Sequence, residues 1–219
     1  MKNISIALDG PSGSGKSTIA KALSKKLNIL YLDTGAMYRA TALKALMLGI
    51  DTFDAEGVST FIDNINLEIK YFDGSQHTFL DGKDVSEEIR LPHVSMAASN
   101  ISSLKCVRLK MVDMQRKIAS SMSCVLDGRD IGSYVLPNAD YKFYITASVD
   151  ERTKRRFLEL KAKGHDIIFD ELKKEIEQRD YNDKNRDFAP LKKADDAIEI
   201  DTSDMTAEEV VEKVFSYII

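Results

Sequence analysis

The sequence predicts an α/β fold in which a five-stranded parallel sheet is flanked by helices. Short apolar runs that end at Asp, Thr or Gly alternate along the chain with longer stretches of helical spacing. This alternation is typical of a parallel sheet, because each strand returns to the same edge of the sheet through a helix. The length of 219 residues corresponds to one domain, or to one domain with insertions.

Five apolar runs are predicted as buried strands and five stretches as helices. The strands are rich in apolar or β-branched residues and cover residues 4–8, 29–32, 124–126, 141–145 and 197–200. The helices cover residues 17–27, 36–48, 94–120, 151–163 and 206–217. The last helix opens with a capping box from Thr206 to Glu209, in which the two side chains satisfy each other's backbone N–H groups.

Two regions depart from this alternation. Residues 67–72 and 78–80 alternate apolar and polar side chains around the turn Asp73-Gly74, which is typical of an antiparallel hairpin. We therefore expect a small β-rich insertion over about residues 52–92. Residues 164–192 are dense in charged side chains, a pattern typical of a solvent-exposed helix and loop.

Composition and charge exclude several classes of protein. Hydrophobic residues make up 43% of the chain and the formal net charge is -4, so we expect a packed core and no nucleic-acid partner. A membrane helix needs about 18 consecutive apolar residues, which the chain nowhere approaches, and the first apolar run is too short for a signal-peptide core. Cys106 and Cys124 show neither metal-ligand spacing nor a disulfide framework, which indicates reduced thiols and a cytoplasmic location.

A glycine-rich segment, residues 10–17, matches the phosphate-loop pattern G-x-x-x-x-G-K-[ST]. It reads Gly10, Pro11, Ser12, Gly13, Ser14, Gly15, Lys16 and Ser17. Inward-facing N–H groups of such a loop and the positive end of the following helix bind phosphate. Lys16 is predicted to reach the β- and γ-phosphates, and the Ser17 hydroxyl to ligate Mg²⁺.

The alternative for this segment is a Gly/Ser-rich surface turn. The predicted strand before it and the predicted helix after it argue against that alternative. The motif indicates a nucleotide but not a reaction, since GTPases, helicases and transporters share it.

Arginines that follow two other predicted strands are the second indication of function. Phosphoryl transfer is catalysed mainly by positioning and by compensating charge, so an anionic acceptor requires cations beyond the phosphate-loop lysine. Residues 33–39 and residues 127–130 supply Arg39 and Arg129 at strand ends, where ligands of open parallel sheets bind. Each arginine taken alone could instead form a structural ion pair, but two such motifs beside a phosphate loop strongly disfavour that alternative.

The chain resembles the bacterial cytidylate kinase family along essentially its whole length. The resemblance rests on the ordered combination of residues 10–17, 32–39, 126–132 and 179–186. It implies the fold of a P-loop nucleoside monophosphate kinase, with an acceptor-binding region over 34–100 that includes the β-rich insertion, and a helical lid over 150–192. It also implies transfer of the γ-phosphoryl group of ATP, with Mg²⁺, to CMP or dCMP.

The resemblance also implies roles at the acceptor site. Its residues are Thr34, Tyr38, Arg39, Ser99, Arg108, Gly128, Arg129, Asp130, Arg179, Asp183 and Arg186. Arg39 and Arg129 are the expected phosphate ligands, and Tyr38 forms a wall of the CMP site. Ser99 and Arg108 are expected to read the cytosine, near Asp130. From the sequence alone, an exposed hydroxyl and a solvated arginine are the alternatives for Ser99 and Arg108.

On the ATP side, the resemblance assigns Arg152, Arg155 and Arg156 to the start of a mobile lid. Arg152 and Arg156 join the phosphate loop and Thr18 as expected ATP contacts, whereas the sequence alone allows a solvated helix face. The residues expected to act in catalysis are Lys16, Arg129, Arg179 and Arg186. Arg179, Asp183 and Arg186 are also expected to close over the acceptor sugar and base.

Three other functions are weighed against this one. A kinase for AMP, UMP or shikimate is disfavoured by residues 34–39 and 127–130. A P-loop switch GTPase requires an Asn-Lys-x-Asp signature, which the chain lacks. A nucleic-acid-stimulated ATPase is disfavoured by the acidic balance and by the lack of a second motor domain. We expect a monomer, because a lid and an acceptor region that close over substrates need free surface.

Overall fold

The computed structural model describes residues 3–72, 74–162 and 164–218. Its strands are β1 Ser5–Asp9, β2 Leu30–Asp33, β3 Leu67–Phe72, β4 Ser75–Leu80, β5 Lys83–Asp84, β6 Cys124–Gly128, β7 Tyr141–Thr146 and β8 Ile198–Asp201. Its α-helices are α1 Lys16–Leu27, α2 Thr34–Met47, α3 Ala55–Ile62, α4 Pro92–Ile101, α5 Lys105–Ser121, α6 Val149–Ala162, α7 Phe169–Asn185 and α8 Ala207–Phe215. The chain divides into a sheet unit, Met1–Tyr31 with Met122–Ile219, and an insertion unit, Leu32–Ser121.

A five-stranded sheet of order β2-β6-β1-β7-β8 organises the sheet unit and confirms the predicted α/β fold. Strand β1 lies parallel to β6 and to β7, and β7 lies parallel to β8. Buried side chains of β1 and β7 form the core together with those of α1 and α8. The predicted capping box is present at α8, since Thr206 N–H donates to Glu209 Oε2 at 2.8 Å and Glu209 N–H to Thr206 Oγ1 at 3.2 Å.

The insertion unit contains helices α2 to α5 and a three-stranded sheet of order β3-β4-β5. The predicted hairpin is confirmed by antiparallel pairing of Leu67 with Leu80 and of Phe72 with Ser75. Asp73, the first residue of the predicted turn, lies outside the described residues. The unit includes the acceptor-binding region expected over 34–100 and extends beyond it at both ends.

The insertion unit departs from the sequence predictions at two places. The stretch 52–92 contains helix α3 besides its three strands, and α3 begins after Asp54, whose carboxylate accepts from the Glu56 and Gly57 N–H groups at 3.0 Å. The predicted helix 94–120 is two helices, α4 and α5. The Ser102 and Ser103 hydroxyls, between the two helices, bond back to carbonyls of α4 and compete with helical hydrogen bonds there.

The charge-dense stretch expected as an exposed helix and loop forms α7, which has one buried face. Leu172, Ile176, Asp180 and Asp183 are buried along that face, so two of its carboxylates are withdrawn from solvent. Helices α6 and α7 cover most of the expected lid region. Among the described residues, no helix combines the length and apolar character needed to span a membrane.

Candidate active site

Glycines shape the phosphate loop where it leaves β1. Gly10 has φ 149°, and a Cβ added there would lie 2.0 Å from the Ile145 carbonyl oxygen, so only glycine fits. Gly15 has φ 91° and directly precedes α1. The loop therefore brings its backbone N–H groups to the start of a helix, which is the geometry that binds phosphate.

Lys16 lies inside this loop with only 5% of its surface exposed. Its Nζ donates to the Pro11 carbonyl oxygen at 2.6 Å and to Ser14 Oγ at 3.2 Å. Burial, reinforced by the Arg129 charge, holds the pKa of Lys16 well below its usual range. A bound anion would reverse that shift, because it would compensate the buried ammonium charge.

Beside the loop, the Ser17 hydroxyl donates to Asp127 Oδ2 at 2.6 Å. The other oxygen of this carboxylate, Oδ1, accepts from the Tyr31 hydroxyl at 3.1 Å. A phosphate-loop hydroxyl next to a carboxylate at a strand end is the pair that holds Mg²⁺ in P-loop proteins. Ser17 and Asp127 fit that ion, which takes few protein ligands and keeps water and phosphate oxygens as the others.

A cluster of arginines and carboxylates follows β6 in the sheet unit. Arg129 Nε donates to Asp183 Oδ2 at 2.7 Å, and the Arg186 guanidinium lies 3.7 Å from Asp183 Oδ1. Arg186 also donates to Asp130 Oδ1 at 3.3 Å. Burial alone would raise the pKa of Asp183, but the Arg129, Arg179 and Arg186 charges outweigh it, so its pKa is lowered. The carboxylate therefore stays ionised and holds these guanidinium groups in place.

A second buried carboxylate, Asp9, lies at the end of β1 and is 3% exposed. Its two oxygens accept from the Ile131 and Gly132 N–H groups, each at 2.7 Å. These N–H groups follow the segment that carries Arg129 and Asp130. Burial raises the pKa of Asp9 to about 7, against the opposing effect of the two backbone hydrogen bonds.

The three expected lid arginines of α6 lie in different surroundings. Arg152 is buried, donates to the Ser12 carbonyl oxygen at 2.9 Å and pairs with Asp180 at 2.6 Å. Arg155 donates to Thr202 after β8, whereas Arg156 pairs with Glu159 near the surface. Arg152 therefore stabilises the phosphate loop. Of the three arginines, only Arg156 matches the alternative of a solvated helix face.

In the insertion unit, Asp33 connects the end of β2 to α2. Its Oδ1 caps α2 by accepting from the Ala36 N–H group at 2.9 Å, and its Oδ2 accepts from Arg39 at 2.8 Å. A Cβ at Gly35 would lie 2.9 Å from an Arg39 nitrogen and 3.1 Å from Asp33 Oδ1, so a larger residue here would have to displace these side chains.

Arg108 of α5 is 1% exposed, which excludes the solvated-arginine alternative. Its guanidinium carbon lies 5.5 Å from the centre of the Tyr38 ring, and it donates to the Ser102 carbonyl oxygen at 3.3 Å. Ser99 is half-buried on α4. Tyr38 and Arg108 therefore lie close together, with Arg108 held at the break between α4 and α5.

The other predicted site residues lie on α1, α2, β6 and α7. Thr18 is exposed on α1, Thr34 is buried at the first position of α2, and Gly128 ends β6. Arg179 lies on α7, where its charge acts on Asp183. The described residues contain no group of three or more His, Cys, Asp or Glu side chains placed to hold a metal.

Residues 6–219 match the model of a protein family described as cytidylate kinase. The chain belongs to the cytidylate kinase family. A cytidylate kinase of Caldicellulosiruptor saccharolyticus is 52% identical over 98% of this chain and 95% of its own length. A cytidylate kinase of Clostridioides difficile is 50% identical over 100% of this chain and 99% of its own length.

A likeness to a solved structure supports the fold of this cytidylate kinase family member. An uncharacterized protein from Eubacterium ventriosum superposes with a TM-score of 0.53 at 16% identity, covering 99% of this chain and 98% of the other. At that identity the likeness concerns the fold alone.

Sequence reasoning missed three carboxylates that organise the site of this family member. Asp9, Asp33 and Asp127 each stand at or next to the end of a strand, and each bonds a residue or segment expected to act on substrate. Their common signal is an aspartate directly after an apolar run, where parallel strands present ligands. That signal is visible in the sequence, although it does not reveal the partner of each carboxylate.

Proposed function

We propose that the chain transfers the γ-phosphoryl group of ATP to CMP or dCMP, giving ADP and CDP or dCDP, and that the residues described above divide this work. Membership of the cytidylate kinase family, at about half identity over nearly the whole chain, carries the activity. The phosphate loop and the buried arginines supply the chemistry that the reaction needs. The reaction belongs to pyrimidine nucleotide metabolism, and the free thiols of Cys106 and Cys124 favour a cytoplasmic location.

The donor phosphates lie on the phosphate loop in this proposal. The backbone N–H groups of residues 10–17 and the ammonium of Lys16 compensate the charge on the β- and γ-phosphates. Arg152 keeps the loop in shape through Ser12, and Arg156 is free to turn towards ATP because its pair with Glu159 is exposed. Mg²⁺ held near Ser17 and Asp127 would neutralise phosphate charge during transfer.

The acceptor is CMP, whose α-phosphate oxygen attacks the γ-phosphorus in line. Arg39 and Arg129 bind the α-phosphate, and Arg179 and Arg186 compensate the charge that spreads over the transferring group. An anionic phosphate oxygen near pH 7 needs no strong base, and no covalent intermediate with the protein forms. Closure of the lid helices would exclude water, which otherwise competes as acceptor.

Base recognition rests on complementary hydrogen bonds. Cytosine presents an amino donor where uracil presents a carbonyl, and an acceptor at N3 where uracil has N–H. Asp130 is the proposed acceptor for the amino group, with Ser99, Arg108 and Arg186 as donors. A mispaired base would leave buried polar groups unsatisfied, each at a cost of about 1–3 kcal/mol.

A coupled assay of ADP release with a panel of acceptors tests the proposal. CMP and dCMP should be used well, whereas UMP, AMP and shikimate should be used poorly at equal concentration. Equal turnover of UMP and CMP would contradict the base-reading residues. Turnover with shikimate or AMP alone would contradict the function itself.

A further inference from the structure

The side chain of Gln76, in strand β4 of the hairpin, forms hydrogen bonds with both backbone groups of Asp33. Its Oε1 accepts from the Asp33 N–H group at 2.8 Å, and its Nε2 donates to the Asp33 carbonyl oxygen at 3.3 Å. Only an amide side chain offers this donor and acceptor together, so a glutamate of the same length would satisfy one group and not the other. The contact joins two segments of the insertion unit that are far apart in sequence.

Gln76 restrains the position of Arg39 indirectly, through Asp33. With its backbone fixed by Gln76, Asp33 directs one carboxylate oxygen to the start of α2 and the other to the Arg39 guanidinium. A charge-assisted hydrogen bond of this kind is shorter and stronger than one between neutral groups. The chain of contacts therefore runs from the hairpin, through Asp33, to the side chain of Arg39 in α2.

Arg39 keeps hydrogen-bonding capacity in this arrangement. Its pair with Asp33 uses one terminal nitrogen, while its Nε is buried and has no hydrogen-bond partner within the described residues. A buried donor of this kind normally finds a partner. An anion bound at Arg39 would supply one, while Asp33 continues to pair with Nη2 of the guanidinium.

We propose that Gln76 is a positioning residue, through which the three-stranded sheet fixes Arg39 for the phosphate of the acceptor. The inference rests on the proposed role of Arg39 as a phosphate ligand. It gives the hairpin a function that does not require any hairpin side chain to touch CMP. Without Gln76, Asp33 retains its cap and its ion pair, but the segment that carries both is no longer held at its backbone.

The first test compares Gln76→Met with His77→Ala in steady-state kinetics. Methionine keeps the length of the side chain and removes both hydrogen bonds. His77 is next on the same strand, but its ring binds Asp84 at 2.8 Å instead, so it is the matched control. Gln76→Met should raise the KM for CMP by about tenfold and leave the KM for ATP within about twofold. His77→Ala should leave both constants within about twofold.

A double-mutant cycle then shows whether Gln76 acts through Arg39. In an Arg39→Ala background, Gln76→Met should change the KM for CMP by less than about twofold, because its target is gone. If Gln76→Met kept its full effect in that background, or had none in the wild type, the proposal would be overturned.

The same cycle separates this inference from the proposed function. Arg39→Ala with an unchanged KM for CMP would end the phosphate-ligand role and this inference with it. An impaired Arg39→Ala beside a normal Gln76→Met would overturn only the positioning role. Gln76→Glu is the second variant should Gln76→Met fold poorly. It should raise the KM for CMP at least as much, because glutamate cannot donate to the Asp33 carbonyl oxygen and adds a negative charge near the Asp33 carboxylate.

Discussion

Lys16 is the residue on which the donor side depends most. Its buried ammonium is held by one carbonyl and one hydroxyl of the loop, and neither contact brings a compensating negative charge. Lys16→Ala should therefore leave the fold intact and lower kcat by roughly a hundredfold or more, since a lost charge contact in the transition state costs about 3–4 kcal/mol. The measurement is steady-state turnover with saturating CMP, with thermal unfolding as the check on folding.

Lys21→Ala is the matched control, because Lys21 is exposed on the same helix. It should retain wild-type turnover. A folded Lys16→Ala protein with near-normal kcat would refute the role given to this lysine.

Base discrimination can be separated from phosphate binding at the residue scale. Ser99→Ala or Arg108→Met should narrow the CMP-to-UMP ratio of kcat/KM, by roughly fivefold or more for each buried hydrogen bond lost. Arg129→Ala should lower kcat/KM for both acceptors by equal factors, because every monophosphate carries the same α-phosphate. Equal losses for CMP and UMP in the Ser99 and Arg108 variants would make those residues structural.

Asp9 predicts a dependence of stability on pH. Burial raises the pKa of Asp9 to about 7 in the folded protein, and the Asp130 charge adds to this increase while the Lys16 charge opposes it. The pKa of an aspartate in the unfolded chain is about 3.9. Between these values the folded state binds more protons than the unfolded state, so the contribution of Asp9 to the free energy of unfolding falls as pH rises through that window. Asp9→Asn cannot titrate and serves as the reference.

Urea unfolding of both proteins at pH 5, 6, 7 and 8 measures this effect. The stability of the wild type relative to Asp9→Asn should decrease from pH 5 to pH 7 and level off above about pH 8. A constant difference across the series would mean that Asp9 does not titrate in the folded protein within this range.

At the scale of elements, the hairpin β3–β4 should respond to the acceptor. Because Gln76 connects β4 to Asp33 and Arg39, an anion on Arg39 should restrain the hairpin as well as α2. We expect slower hydrogen exchange over residues 67–80 when CMP is added. Cytidine, which lacks the phosphate, is the control ligand, and identical exchange with and without CMP would contradict the connection.

The sequence predicted those elements whose own residues determine them. Strand β6 begins with three consecutive apolar residues, and α8 has both its capping box and an apolar face, so each was located within one or two residues. The break between α4 and α5 was missed because apolar spacing continues across it. Helix α3 was missed because its eight residues lie inside a stretch assigned to strands.

The site residues that could be predicted are those that lie within local sequence motifs. Lys16 and Arg129 stand in local patterns, whereas the partners that hold them do not. Gln76 meets Asp33 only after the hairpin has formed, and Asp9 meets Ile131 and Gly132 from a distant part of the chain. Such contacts are products of tertiary structure, and no local spacing encodes them.

At the scale of the whole molecule, the net charge of -4 conceals buried cationic side chains in each of the two units. Arg108 and Arg152 are almost fully buried, while acidic side chains dominate the formal charge. We therefore expect local positive charge to attract a small anion, and the acidic balance of the chain to disfavour an extended polyanion.

At the scale of the whole molecule, we also predict that the protein is a monomer. Light scattering after size exclusion should give a mass of about 24.5 kDa, because a lid and an acceptor region that close need free surface. The exposed apolar side chains Met47, Leu48 and Phe53 of the insertion unit form the surface most able to self-associate. A dimeric mass that Phe53→Ser converts to a monomeric one would refute the prediction.

The order of strands in the five-stranded sheet bears on how the protein is made. Strand β1 pairs with β6 and β7, so Ile6 cannot pair with Val125 and Tyr141 until those residues have left the ribosome. The insertion unit, by contrast, is one continuous segment, complete when Ser121 has been synthesised. We expect the nascent chain to compact first within that segment, while the glycine-rich phosphate loop emerges early and gains its shape last. The insertion unit, which carries the proposed acceptor-binding residues, would thus fold before the phosphate loop that is proposed to bind the donor.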